Sequence, residues 1–326
     1  MTTPNRHSLP DAGQYAQLFL HLAHLENAGL PAAEAFAMLA KNQQGLPKGL
    51  KTMPRRLKAG QAIAEAGFKA GLFDSNHRAL VAAAEQGGKL APLYRQLAEH
   101  YGNTAKRQKK MRSRLYLPGF VLVASLFIQP LPALITGHIS LGEYLLASAG
   151  NGLIMAAGIA LLLRIPQACN ALGIAGQWHN VQLLLPPVAK WLTNRQLNHF
   201  FFLLAMLLEA GMDFANALPN AVASISNTSL KGQFAPALAK LKTGASAAQI
   251  LGCVPSIPAS TLQVIDSGEH SGRLAETLRH FTELDAYTLA LQDEALAEWL
   301  PRLAYSAIGL WIGYGILRQG LPLPPI

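Results

Sequence analysis

Between Leu115 and Leu163 the chain carries one formal charge, Glu143. No other feature restricts the possible folds so strongly. Leu115 to Thr136 is 22 residues without a charged side chain, about 33 Å as a helix, enough to cross a hydrocarbon core. Tyr144 to Leu163 is 20 more, about 30 Å. The short polar turn between them holds Gly137, His138, Ser140, Gly142 and Glu143, so the two spans must run antiparallel. The stretch predicts a transmembrane hairpin at 115–163.

Its flanks orient it. Lys106, Arg107, Lys109, Lys110, Arg112 and Arg114 are six cations within nine positions just before the first span. The outer turn has no Lys or Arg, and Arg164 closes the second span. Excess Lys and Arg near helix ends marks the cytoplasmic side, so these residues determine the topology: N-terminus inside, turn outside. A nucleic-acid patch is the competing reading of the run. Its position against a membrane entry accounts for it without a second ligand, and no nucleic acid is expected as a partner.

Composition points to a chain that is part membrane and part soluble, with 51% apolar and 14% charged residues. Residues 1–114 carry 17 basic and 7 acidic groups, a surplus of +10, whereas residues 164–298 carry 8 and 10, a balance of −2. The two soluble parts therefore offer different contact surfaces. Residues 1–14 lack the apolar core of a signal peptide, which leaves insertion to the spans themselves. The cysteines, Cys169 and Cys253, both fall on the predicted cytoplasmic side, where no structural disulfide is expected.

In chain order, Tyr15, Leu18, Phe19, Leu22 and Leu25 place one apolar face on a helix over Gln14–Ala28. Further helices are predicted at Pro31–Leu39, Lys48–Lys58, Gln61–Glu65 (broken at Gly67 and Gly71) and Asn76–Glu85. A sixth begins at Leu90 and continues through the basic run towards the membrane. No segment alternates with a two-residue period, so the class is all-α. Gln167 to Pro187 is an amphipathic linker that could lie on the membrane surface. Leu303 to Leu317, bounded by Arg302 and Arg318, is a short third span.

The second half repeats the first. Phe201, Leu204, Ala205, Leu207, Ala210, Gly211, Met212 and Ala217 align with Phe19, Leu22, Ala23, Leu25, Ala28, Gly29, Leu30 and Ala35 at an offset of 182. Leu241–Gly244 matches Leu57–Gly60 at 184, and Glu269, Gly272, Arg273 and Leu274 match Glu85, Gly88, Lys89 and Leu90 at the same 184. Three blocks in register imply a tandem duplication. The predicted organisation is a flexible N-terminus (1–13), a first cytoplasmic helical domain (14–114), the hairpin (115–163) and a linker (164–194). A second helical domain (195–298), a third transmembrane helix (299–318) and a tail (319–326) follow.

Within the repeat, Ser267 to Leu274 is predicted to join two helices, with Ser271 capping the second and Glu269 accepting backbone N–H groups in the turn. The carboxylates either tie down this turn or sit on a docking surface. The residues singled out are Glu85, Gly88 and Leu90 in the first copy and Gly268, Glu269, Ser271, Gly272 and Leu274 in the second. The cations Lys51, Arg55, Arg56 and Lys58 are the other candidate partner interface.

These features together resemble the type II secretion F protein family: two cytoplasmic helical modules, the Ala-Gly-hydrophobic turn, the Gly-Glu-x-Ser-Gly-x-Leu loop and the basic junction leading into Tyr116 and Pro118. The loop is intact in the second copy; in the first, Ala84 and Gly87 replace the Gly and the Ser. The resemblance spans roughly residues 14–318. It implies an inner-membrane platform protein of a type IV pilus or a type II secretion system. It also implies partners: a hexameric cytoplasmic assembly ATPase, pilin or pseudopilin subunits, other inner-membrane components, a second copy of the chain, and the lipid bilayer.

Chemistry of its own is not indicated. There is no Gly-x-x-x-x-Gly-Lys-Ser/Thr phosphate loop, Cys-x-x-Cys or His-Glu-x-x-His, and His21 and His24 lack a third ligand at matching spacing. No catalytic residue, metal or cofactor is expected, and the chain is not expected to be an enzyme. A transporter or receptor is the alternative class, disfavoured by spans without an ionisable residue and by an outer turn too small to hold a ligand.

Overall fold

The computed structural model describes residues 9–41, 47–128, 130–135, 137, 139–146, 148–153, 157, 160 and 186–319. Among them every regular element is helical. The chain divides into two compact units, one of Met1–Arg107 with His179–Leu289 and one of Gln108–Trp178 with Ala290–Ile326.

In the first unit, Asp11 starts α1 (Ala12–Asn27) with a reciprocal cap: its carboxylate accepts from Gln14 N at 2.7 Å, and Gln14 Oε1 accepts from Asp11 N at 3.2 Å. This satisfies donors that a helix start otherwise leaves open, and it moves the start two residues ahead of the apolar periodicity. The helix buries Tyr15, Leu18, Phe19 and Leu22. After α2 (Ala32–Lys41), the predicted Lys48–Lys58 helix divides into a 3₁₀ turn, Lys48–Thr52, and α3 (Met53–Lys58). Pro54 has no N–H to give to a preceding turn, so the α-helix can begin only just ahead of it.

Helix α4 (Ile63–Lys69) runs through Gly67 instead of breaking there. A Cβ on Gly67 would lie 2.1 Å from the Phe73 ring, so this glycine serves close packing. Helix α5 (Ser75–Gly87) is capped by Asp74, which accepts from His77 N at 2.8 Å, and ends at Gly88 with φ +63°, a left-handed C-terminal residue of the kind glycine supplies. Helix α6 (Leu90–Ile128) then continues unbroken for 39 residues, about 58 Å, as its sequence predicts.

The second half contributes α8 (Pro186–Glu209), α9 (Phe214–Ala223), α10 (Thr228–Gly232), α11 (Ala235–Lys240), α12 (Ala247–Leu251), α13 (Ala259–His270) and α14 (Leu274–Gln319). Asp213, Asn227 and Ser246 cap α9, α10 and α12 through side-chain oxygens. One apolar core serves both halves of this unit, with Leu18, Phe19, Phe36, Phe73 and Tyr94 from the first and Phe200, Leu204, Leu218, Phe234 and Leu251 from the second. Each such side chain contributes roughly 1.5–3 kcal/mol by leaving water.

The second unit holds the later part of α6, α7 (Leu131–Ile135), helical residues at 141–146 and 148–153, and the later part of α14. Glu143, the one charge between Leu115 and Leu163, is a capping residue. Its carboxylate accepts from Ser140 N at 2.7 Å while Ser140 Oγ accepts from Glu143 N at 3.3 Å, closing both donors at the start of the helix that follows. Among the described residues, one helical stretch, Leu90–Ile135, is long and apolar enough to cross a membrane. Most of the Gln167–Pro187 linker, with Cys169, and much of the predicted second span lie outside the described residues. The predicted third span forms the end of α14, which passes through Pro301 without interruption.

Candidate functional site

The repeated carboxylates occupy equivalent places. Glu85, near the end of α5, accepts from Ile63 N at 3.0 Å and Ala64 N at 3.4 Å, at the start of α4. Glu269, near the end of α13, accepts from Ala247 N at 2.9 Å and Ala248 N at 3.3 Å, at the start of α12. Donors and acceptor are displaced by 184 in both cases (63 to 247, 85 to 269), the offset of the sequence repeat. A carboxylate here meets the open N–H groups and the positive end of a short helix. Each glutamate thus fastens one helix of a pair to the start of the other, reaching 21 or 22 residues back along the chain. Glu269 does not bind its own turn as the sequence suggests.

The remaining motif residues support that clasp. Residues 267–270 belong to α13, so the connection is only Ser271–Arg273. Ser271 stands at the end of α13 and its Oγ donates to Gly268 O at 3.1 Å. It is not the cap of α14, because the chain turns through Gly272 (φ +67°) before the next helix begins. Gly268 permits close approach of α14, since a Cβ there would lie 2.9 Å from Thr277 Cβ. Leu90 is buried at the start of α6, and Leu274 packs on the core at the start of α14.

Gly87 explains why the first copy departs from the motif. A Cβ at this position would meet Ala210 O at 2.4 Å, so the end of α8 occupies the place where a side chain would project. At the equivalent position Ser271 is exposed to solvent. The same neighbourhood holds Glu209, which the sequence does not single out. Its carboxylate accepts from Gln96 Nε2 at 2.6 Å and Arg279 Nε at 2.9 Å, and its backbone carbonyl accepts from Lys89 Nζ at 2.7 Å. A cavity of about 240 Å³ lies here, lined by Lys89, Leu93, Gln96, Met206, Glu209 and Ala210 among others.

Histidines are enclosed close by. His77 Nε2 shares a 2.8 Å hydrogen bond with Tyr101 OH, and its Nδ1 lies 3.0 Å from Asp74. His100 stacks on Phe202 with ring centroids 4.2 Å apart. Burial, then the neighbouring His199, pushes the His100 pKa down to about 3, and burial lowers that of His199 as well. Their unfolded values lie near 6.5, so acid favours the unfolded chain, which takes up the protons more readily. The stability that His100 holds is complete above pH about 6.5 and is lost as pH falls towards 3. Lowering the pH from 7 to 5 is expected to remove about 2 kcal/mol through His100. Melting temperature measured against pH checks this, and His100→Phe should flatten the slope between pH 6 and 4.

The basic surfaces divide in two. On the 3₁₀ turn and α3, Lys51, Arg55 and Lys58 are exposed and Arg56 is half-buried. At the junction, Lys106, Lys109 and Arg112 are exposed, and Arg107 Nε donates to Asn103 O at 3.3 Å. Lys110 donates to Glu294, while Arg114 lies 3.6 Å from Glu294 and 3.9 Å from Glu298. The hydrogen bond from Lys110, with its charge, holds the Glu294 carboxyl below its usual pKa. Among the described residues no group of three or more His, Cys, Asp or Glu could hold a metal ion.

The family model for type II secretion system (T2SS) protein F matches residues 18–136 and 200–322. These segments begin 182 positions apart (200 − 18), the offset read from the first repeat block. A type II secretion system protein F of Pseudomonas aeruginosa is 27% identical over 295 residues, covering 83% of this chain and 72% of that protein. One from Vibrio cholerae is 24% identical over 290 residues (82% and 70%), and one from Aeromonas hydrophila is 26% identical over 339 (95% and 86%). With both helical modules and the segments leading from them inside the match, this chain belongs to the type II secretion system protein F family.

Proposed function

We propose that the protein is a non-enzymatic inner-membrane platform for assembling a type II secretion pseudopilus or a type IV pilus. In this reading its two cytoplasmic modules arose by tandem duplication, and three helices cross the bilayer with the N-terminus inside. The observation that carries the reading is α6. Its first turns are locked into a folded core by Leu93, Tyr94 and Leu97, and further along the same helix Tyr116, Leu117 and Phe120 are 76, 64 and 70% exposed. Apolar surface of this kind on a helix of membrane-crossing length suits lipid and not water. A continuous helix also passes displacement of a cytoplasmic module directly to its membrane segment.

The partners are a hexameric assembly ATPase on the cytoplasmic side, pilin or pseudopilin subunits in the bilayer, other inner-membrane components and further copies of the chain. Movement driven by the ATPase is transmitted through the modules to draw subunits from the membrane into a filament. Lys51, Arg55, Arg56 and Lys58 form the surface that meets an acidic face of the ATPase. Changing all four to Glu is expected to abolish co-purification of the assembly ATPase while leaving the melting temperature within a few degrees. Undiminished co-purification would discard that surface. For the function as a whole, deletion of the gene should stop secretion or filament display, and wild-type sequence should restore it. Normal secretion and filaments in the deletion strain would refute the platform reading.

A further inference from the structure

The ion pairs at the membrane junction separate its cations by task. Lys110 and Arg114 are one helical turn apart on α6 and share the face that meets Glu294 and Glu298 of α14. Their charge is answered within the protein. Lys109 and Arg112 share a different face of α6, at a three-residue step; both are exposed, and neither has a carboxylate partner among the described residues. One turn beyond Arg112, on the same side of the helix, the exposed surface becomes apolar at Tyr116 and Phe120. This order along one helix, unanswered cations and then an aromatic surface, matches the order of phosphate and acyl chain in a membrane leaflet.

We propose that the Lys109–Arg112 face of α6 binds the headgroups of anionic phospholipids, whereas Lys110 and Arg114 are structural and do not select lipid. The inference rests on the membrane reading given above. Two neighbouring cations match a phosphodiester, and the apolar residues one turn away hold the acyl chains, which a free phosphate ion lacks. Cations placed at an anionic leaflet attract its lipids, with an effect that salt screens.

The test uses the full chain reconstituted in phosphatidylcholine vesicles, with the relative association of spin-labelled phosphatidylglycerol and spin-labelled phosphatidylcholine as readout. Wild-type protein should select phosphatidylglycerol. The double variant Lys109→Gln with Arg112→Gln should reduce that selectivity on the order of tenfold, and Lys109→Arg with Arg112→Lys should keep it. Lys110→Gln with Arg114→Gln should lower the melting temperature and leave the selectivity unchanged. Equal selectivity in wild type and the Lys109/Arg112 glutamine variant would overturn the proposal. So would competition by inorganic phosphate at the same charge concentration, which would indicate a small-anion site. Failure of wild-type protein to enter vesicles at all would overturn the membrane reading together with it, an outcome distinct from insertion without lipid preference.

Discussion

Glu269→Ala is expected to destabilise the protein by about 3 kcal/mol. Two backbone N–H groups, those of Ala247 and Ala248, lose their acceptor in a part-buried position, and hydrogen bonds to a charged group are each worth roughly 1.5–3 kcal/mol. Part of the loss is recovered where water reaches the freed donors. Glu269→Gln keeps one oxygen of the right shape without the charge and should cost about half as much. Glu85→Ala should behave alike, since Ile63 and Ala64 stand in the places of Ala247 and Ala248. Thermal denaturation of the detergent-solubilised full chain measures all three. A loss under about 0.5 kcal/mol for both alanine variants would mean that the carboxylates do not carry the clasp, and would return them to the role of exposed partner contacts.

The second large effect is an asymmetry between the copies. Gly87→Ser restores the residue that the motif carries in the second copy, yet it should destabilise by about 3 kcal/mol. The new Cβ would be driven to 2.4 Å from the Ala210 carbonyl oxygen, a fixed backbone atom, and overpacking of this kind costs roughly 1–3 kcal/mol or more. The converse change, Ser271→Gly, removes one hydroxyl that donates to Gly268 O at 3.1 Å and should cost no more than about 1 kcal/mol. Equal effects from the two substitutions would show that the end of α8 does not bear on α5 as the geometry requires.

Periodicity and punctuation foretold the helices well wherever local chemistry decides. The apolar steps from Tyr15 to Leu22 mark α1, Gly87 and Gly88 mark the end of α5, and Gly272 marks the turn before α14. Errors arose where one residue type has two physical uses. Gly67 looks like a helix breaker and is a packing contact for Phe73. Ser271 looks like a starting cap and instead ends the helix before it. Pro54 carries a readable signal, since a proline seven residues into a predicted helix shifts its start. Glu209 gave no signal, because its partners Gln96 and Arg279 come from distant positions in the chain.

The amino-acid sequence by itself determined the helical class, the charge-poor stretch from Leu115 to Leu163 and the repeat at offsets of 182 and 184. Each is written in residue order and needs no contact between distant positions. Only the tertiary structure decided what the repeated glutamates hold, why Gly87 cannot be serine, and which junction cations are answered by Glu294 and Glu298. These depend on which backbone atoms and charges come within a few ångströms of each other. Chain order does not encode that distance; the packing of the two helical modules, and of α6 along α14, sets it.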